Sequence, residues 1–99
     1  MAEWYRRQGF EIVARNWRCA RGELDVVARR GRMLVVCEVK ARADDTWGSG
    51  LEAVTAGKQL RIRRATAEMI ASLGLRGVHL RFDAAAVTGV HLDVVTNAF

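Results

Sequence analysis

Ninety-nine residues, 51% of them apolar, suffice for one domain with a modest core. No apolar run approaches the roughly 18 residues of a membrane span, and Met1-Ala2-Glu3-Trp4 is not followed by the apolar stretch of a signal peptide, so a cytoplasmic, non-membrane protein is expected. Sixteen Lys and Arg against eleven Asp and Glu leave a net charge of +5, the balance of a polyanion binder, although fourteen of the sixteen are arginine, as composition drift alone can produce.

Residues 2 to 9, AEWYRRQG, have the pattern of the last turns of a helix, with Trp4 and Tyr5 as apolar surface and Gly9 as the C-terminal cap. Residues 10 to 18 alternate with period two, Phe10, Ile12 and Ala14 against Glu11, Val13 and Arg15, and predict a strand. Trp17 is expected to pack in the core or at its rim. Two short apolar runs follow, Leu24 to Ala28 and Met33 to Val39, separated by Arg29-Arg30-Gly31-Arg32. They predict a β-hairpin with a glycine-bearing turn.

Residues 42 to 50 lack an apolar period and predict a loop, with Asp44-Asp45 as a solvated acidic turn. Residues 51 to 73 predict the main helix, with a break near Gly57 and a stop at Gly74. Ile62, Ala65, Met69, Ile70 and Leu73 share its apolar face, Arg61 and Arg64 lie opposite, and Lys58 stands at the edge of the apolar arc, from where it can reach the sheet. Residues 76 to 87 and 90 to 95 predict two strands joined at Thr88-Gly89. His79 and His91 alternate with apolar residues and are expected at an edge or in solvent, and Asp83 is expected to be structural, paired with an arginine. Cys19 and Cys37 are expected as reduced thiols, because disulfides are rare in the cytoplasm, and the two cysteines and two histidines have no zinc-ligand spacing.

The hairpin carries the chemistry. Alternation places Glu23, Asp25 and Val27 on one face of the first strand, and Val36, Glu38 and Lys40 on one face of the second. A four-residue turn from Arg30 to Met33 sets Asp25 directly opposite Glu38, whereas a two-residue turn at Arg30-Gly31 sets them diagonally. Directly opposed residues have Cβ atoms roughly 5 Å apart, and two carboxylates that close need a proton or a cation. Oxygen-only ligands suit Mg²⁺ or Mn²⁺ rather than zinc, and Lys40 adds a positive group. Charges on a strand usually mark its solvent face. Glu38 instead lies in a run that is apolar on both faces, the pattern of a covered central strand where a charge needs a partner or a metal.

Asp25 followed by Glu38-Val39-Lys40 resembles the D…ExK signature of the PD-(D/E)xK nuclease superfamily. GELDVVARRGRMLVVCEVKAR, then Gly50, Lys58, Arg81-Phe82-Asp83 and Asn97-Ala98-Phe99, is similar to the uncharacterised bacterial YraN family, regarded as Holliday-junction-resolvase-like. The likeness covers nearly the whole chain. It implies an α/β fold of restriction-endonuclease type, a mixed β-sheet flanked by helices, as one nuclease-like domain over residues 1 to 99.

It also implies metal-assisted phosphodiester hydrolysis. Asp25 and Glu38 would hold Mg²⁺ or Mn²⁺ with the backbone carbonyl of Val39, Lys40 would position water or stabilise phosphate charge, and Glu23 would act as a base or further ligand. Lys58 matches a lysine of the family and would contact phosphate or the active site. Arg61, Arg64, Arg29, Arg30 and Arg32 would hold a nucleic-acid backbone, with Trp47 as a base-stacking candidate. DNA is the expected polynucleotide, and a homodimer is implied because resolvases cut two strands symmetrically. The sequence departs from the family at its start: the family's helix begins earlier with a Gly-Glu pair, so the N-terminal helix is expected to be incomplete, with Glu3 as a poorly aligned substitute. A non-catalytic clamp for nucleic acid and a protein-interaction module are the alternatives.

Overall fold

Strong local alternation and a well-placed turn set the middle of the molecule. A computed structural model describes residues 1–42 and 54–99. Helix α1 (Ala2–Arg7) leads into β1 (Glu11–Cys19), β2 (Gly22–Arg30) and β3 (Met33–Arg42); helix α2 (Ala56–Leu73) is followed by β4 (His79–Thr88) and β5 (His91–Val95). The strands form one sheet in the order β1-β2-β3-β4-β5. Only β3 and β4 pair in parallel, with α2 between them in the chain, as a parallel pair requires a crossover. The result is the expected α/β class, a mixed sheet flanked by helices, and it is compatible with a restriction-endonuclease-like fold.

The β2–β3 hairpin closes at Arg30↔Met33, with Gly31 at φ 59° in its turn. Of the two turns considered, this is the four-residue one. The ladder runs to Val26↔Cys37, and one further step of the same register would set Asp25 opposite Glu38.

β3 is covered on both sides, as its two apolar faces require. Leu34 and Val36 pack with Leu24, Val27, Phe82 and the α2 residues Ile62, Ala65 and Met69. Val35 and Cys37 pack on the other side with Tyr5, Phe10, Val26, Ala28 and Ala85. Alternation fails in the neighbouring strands. Leu24 and Val27 face the same layer although they are three positions apart, so Glu23, Asp25 and Val27 do not form the single face expected of them. In β1 the register slips between Ile12 and Ala14, so Val13 and Ala14 both pack against the α2 layer. Asn16, beside Asp25, takes a left-handed φ of 50°. A bulge and a left-handed residue each re-aim the side chains that follow.

Helix α2 begins with Thr55 as its N-cap, the Oγ1 accepting the Lys58 N–H at 3.2 Å, and ends at left-handed Gly74. The helix starts at Ala56, with Val54 and Thr55 outside it, so Gly57 lies in its first turn and not at a break within a helix from residue 51. The buried face comprises Ile62, Ala65, Thr66 and Met69, while Leu73, expected in it, is exposed at the helix end. Thr66 fits this face because its hydroxyl donates to the Ile62 carbonyl at 2.7 Å. The last turn falls at Gly89-Val90 rather than Thr88-Gly89.

Asp83 is structural, as expected, and fully buried. It accepts from the Tyr5 hydroxyl at 2.7 Å, from the Arg81 guanidinium through two bonds of 2.9 Å, and from the Asn97 N–H at 2.9 Å. This carboxylate ties α1, β4 and the C-terminal segment together beneath β3. Burial, with neighbouring Cys37 and Asp83, pushes the Tyr5 hydroxyl pKa far above its ordinary value. The bond to Asp83 raises that of Arg81. Cys19 and Cys37 are both free thiols. No helix among the described residues is long and apolar enough to cross a membrane.

Candidate functional site

Three elements converge where the β2–β3 ladder ends. Asp25 lies one residue before the last ladder pair, and its Oδ2 accepts the Val39 N–H at 2.8 Å. The carboxylate thus takes up a backbone donor at the end of the ladder, which holds it against β3. Glu38 is the residue before Val39, with its side chain 14% exposed. The first turn of α2 contributes Lys58, whose Nζ lies 2.7 Å from Glu38 Oε1. Glu38, Asp25 and Lys58 line an open cleft of about 370 Å³, with Ile62 as an apolar wall and Gly22, Glu23 and Arg61 at its borders.

The electrostatics are those of a crowded carboxylate pair. Burial is the largest influence on Glu38 and raises its pKa above the ordinary carboxylate value; the neighbouring Asp25 raises it further, while the Lys58 ammonium pulls it down without cancelling the rise. A second cavity of about 310 Å³ touches Asp25 together with Val39, Arg15, Asn16 and the N-terminal Met1 and Ala2. Asp25 therefore borders both cavities.

The remaining candidates are dispersed. Glu23 is turned to Arg18 at 3.5 Å, with 39% of its side chain exposed, and borders the cleft without joining the carboxylate pair. Glu3 is exposed on α1 and pairs with Arg6 and Arg7, so it does not substitute for a helix acid at this site. Lys40 is half-buried two residues beyond Glu38; among the described residues it has no ion pair and is not part of the cleft lining. The cation against Glu38 is Lys58, from the edge of the helix's apolar arc.

Arg61 borders the cleft, whereas Arg64 is exposed elsewhere on α2. Arg29, Arg30 and Arg32 lie at the turn, the far end of the hairpin, because the five steps from Met33 to Glu38 span roughly 17 Å of strand. Arg29 Nε donates to the Gly31 carbonyl, and Arg30 donates to the Gln8 carbonyl and covers the Phe10 ring at 4.5 Å. These arginines are not beside the carboxylates. Trp47 and Asp44-Asp45 lie outside the described residues.

Sequence reasoning missed the Val39 N–H as the anchor of Asp25, and the Arg63 guanidinium over Phe82 at 4.7 Å, which braces α2 against β4. No sequence signal marked the first. For the second, Arg63 lies one position from the buried Ile62, which places it at the border of the apolar face.

Two carboxylates and a strand backbone make an all-oxygen donor set. Among the described residues no cluster of three or more His, Cys, Asp or Glu side chains forms. Such a set fits Mg²⁺ or Mn²⁺, since Mg²⁺ is commonly held by one or two carboxylates with water and substrate phosphate completing its shell.

The family model for the uncharacterised protein family UPF0102 matches residues 1–87. The chain belongs to the UPF0102 family. Among curated relatives, a UPF0102 protein of Kineococcus radiotolerans is 51% identical over 81 residues, which cover 81% of this chain and 66% of the relative. One from Moorella thermoacetica is 44% identical over 79 residues, covering 80% and 66% respectively. One from Hahella chejuensis is 46% identical over 78 residues, covering 79% and 63%. The chain spans about two thirds of the length of these relatives. The family assignment agrees with the YraN-type likeness of the hairpin sequence, and the UPF0102 description itself carries no activity.

Proposed function

We propose that this UPF0102 protein is a metal-dependent endonuclease that hydrolyses phosphodiester bonds in nucleic acid, with branched DNA as the expected substrate. The observation that supports it is the pairing of Asp25 and Glu38 in a cleft, with the Lys58 ammonium 2.7 Å from Glu38. Mg²⁺ or Mn²⁺ held there would supply a more acidic bound water and polarise the phosphate. Asp25 and Glu38 would hold the ion, with the Val39 carbonyl as a further oxygen. The Val39 N–H keeps Asp25 oriented, and Lys58 would offset charge that develops on phosphate oxygens. Glu23 would hold water at the border of the cleft. Arg61 would bind a backbone phosphate beside the reacting one, without reading sequence. A homodimer would bring two such clefts to a symmetric junction.

The test is incubation with branched and linear DNA in Mg²⁺, Mn²⁺ or EDTA, with Glu38→Ala and Asp25→Ala alongside. Cleavage that requires metal and disappears in both variants supports the enzyme. Metal-independent binding, with no cleavage in any condition, supports the rival reading of a non-catalytic clamp. In either case Arg61→Ala should lower affinity and flatten the dependence on salt by roughly one phosphate contact. Light scattering tests the dimer, and a mass of one chain at working concentration excludes it.

A further inference from the structure

Lys58 occupies a place where a helix disfavours a cation. It is the third residue of α2, in the first turn, where the macrodipole favours acids, and that turn contains none. Its ammonium is set against Glu38 at 2.7 Å, and the two side chains are unequally exposed, 38% for Lys58 and 14% for Glu38. The acid is the more enclosed partner and the lysine the more exposed one, a compact charge on a flexible four-carbon stem. The backbone of Lys58 is tied to the Thr55 cap, so the ammonium can leave without moving the helix.

We propose that Lys58 is an internal counter-ion of the Asp25–Glu38 pair, displaced when a divalent cation binds, so that its ammonium is released into the cleft towards phosphate only in the metal-bound protein. This rests on the metal-site reading above. The charges balance only with the metal. Without metal, one ammonium offsets part of the two carboxylates. With metal, the ion neutralises both, and a lysine left in place would be repelled by it. The exchange couples metal loading to exposure of a phosphate-binding group, and disfavours anion binding while the acids lack their metal.

The experiment uses the whole chain and the metal alone, without nucleic acid. Calorimetric titration with Mn²⁺ should show Lys58→Met binding roughly three- to tenfold more tightly than wild type, since the competing ion pair is gone. Equal or weaker binding by the variant overturns the exchange. A second measurement needs no variant: the chain has only two lysines, so amine labelling followed by peptide mass spectrometry reports Lys58 directly. Saturating Mg²⁺ should raise its labelling rate several-fold over KCl of equal ionic strength. An unchanged rate, while calorimetry registers binding, overturns the exchange and leaves the metal site intact. Absence of Mn²⁺ binding by wild type and variant alike overturns the metal site and the exchange together.

Discussion

Asp83→Ala should be among the most damaging substitutions in the chain, although Asp83 lies outside the cleft. The carboxylate is fully buried and accepts four hydrogen bonds, from Tyr5, Arg81 and Asn97. Removing it leaves the fully buried Tyr5 hydroxyl without this acceptor, at a cost of about 1–3 kcal/mol. It also strips the Arg81 guanidinium, 20% exposed, of its carboxylate; breaking a buried pair from one side costs about 3–5 kcal/mol. The two costs overlap, because one carboxylate serves both donors, so a total of about 4 kcal/mol is expected. That is a large share of the roughly 5–15 kcal/mol that stabilises a typical domain, and it corresponds to a fall of about 20 °C in Tm for a chain of this size. Tyr5→Phe removes one donor and should cost about 1 kcal/mol, or about 5 °C. In a thermal-melt double-mutant cycle, Tyr5→Phe should cost almost nothing further in the Asp83→Ala background. A fall below about 5 °C for Asp83→Ala, or strict additivity of the two substitutions, would refute the account of Asp83 as the common acceptor.

Two further predictions concern titration and thiol access. Glu38 has its folded-state pKa raised above 4.5 by burial, so the folded chain holds this proton more tightly than the unfolded one, and stability falls as pH rises through the folded value. Glu38→Gln mimics the protonated acid: in chelator, denaturation midpoints should match wild type at the acid end and exceed it increasingly towards neutral pH, and a gap that does not widen with pH contradicts the sign. Burial pushes the Cys37 thiol up to about 12, and it is fully enclosed, whereas Cys19 is only half-buried. A thiol reagent near neutral pH should therefore titrate one equivalent quickly and the second only in denaturant; two equal fast phases would contradict the burial of Cys37.

The hairpin shows how far local pattern reaches. Two apolar faces around Glu38 required a strand covered on both sides, and β3 is one. A glycine between the two runs required a tight turn, and the closing pair Arg30↔Met33 then carries Asp25 towards Glu38 by register alone. The apolar spacing of α2 and the glycine after it located the helix end and most of its buried face. All of these follow from repeats of two or 3.6 residues and from single-residue backbone preferences, which a sequence displays directly.

The long-range partners were decided elsewhere. Val39 anchors Asp25 across 14 residues, Tyr5 reaches Asp83 across 78, and Lys58, not Lys40, is set against Glu38. The turn arginines, adjacent in sequence to the acids' strands, are carried to the far end of the hairpin, and a slip in β1 with a left-handed Asn16 ends the simple alternation around Asp25. The sequence by itself determined which segments form strands and helices and that an acid would be enclosed in β3. Only the tertiary structure decided which cation meets that acid, because the choice depends on how α2 lies across the sheet, and packing between distant segments has no period that a chain can show.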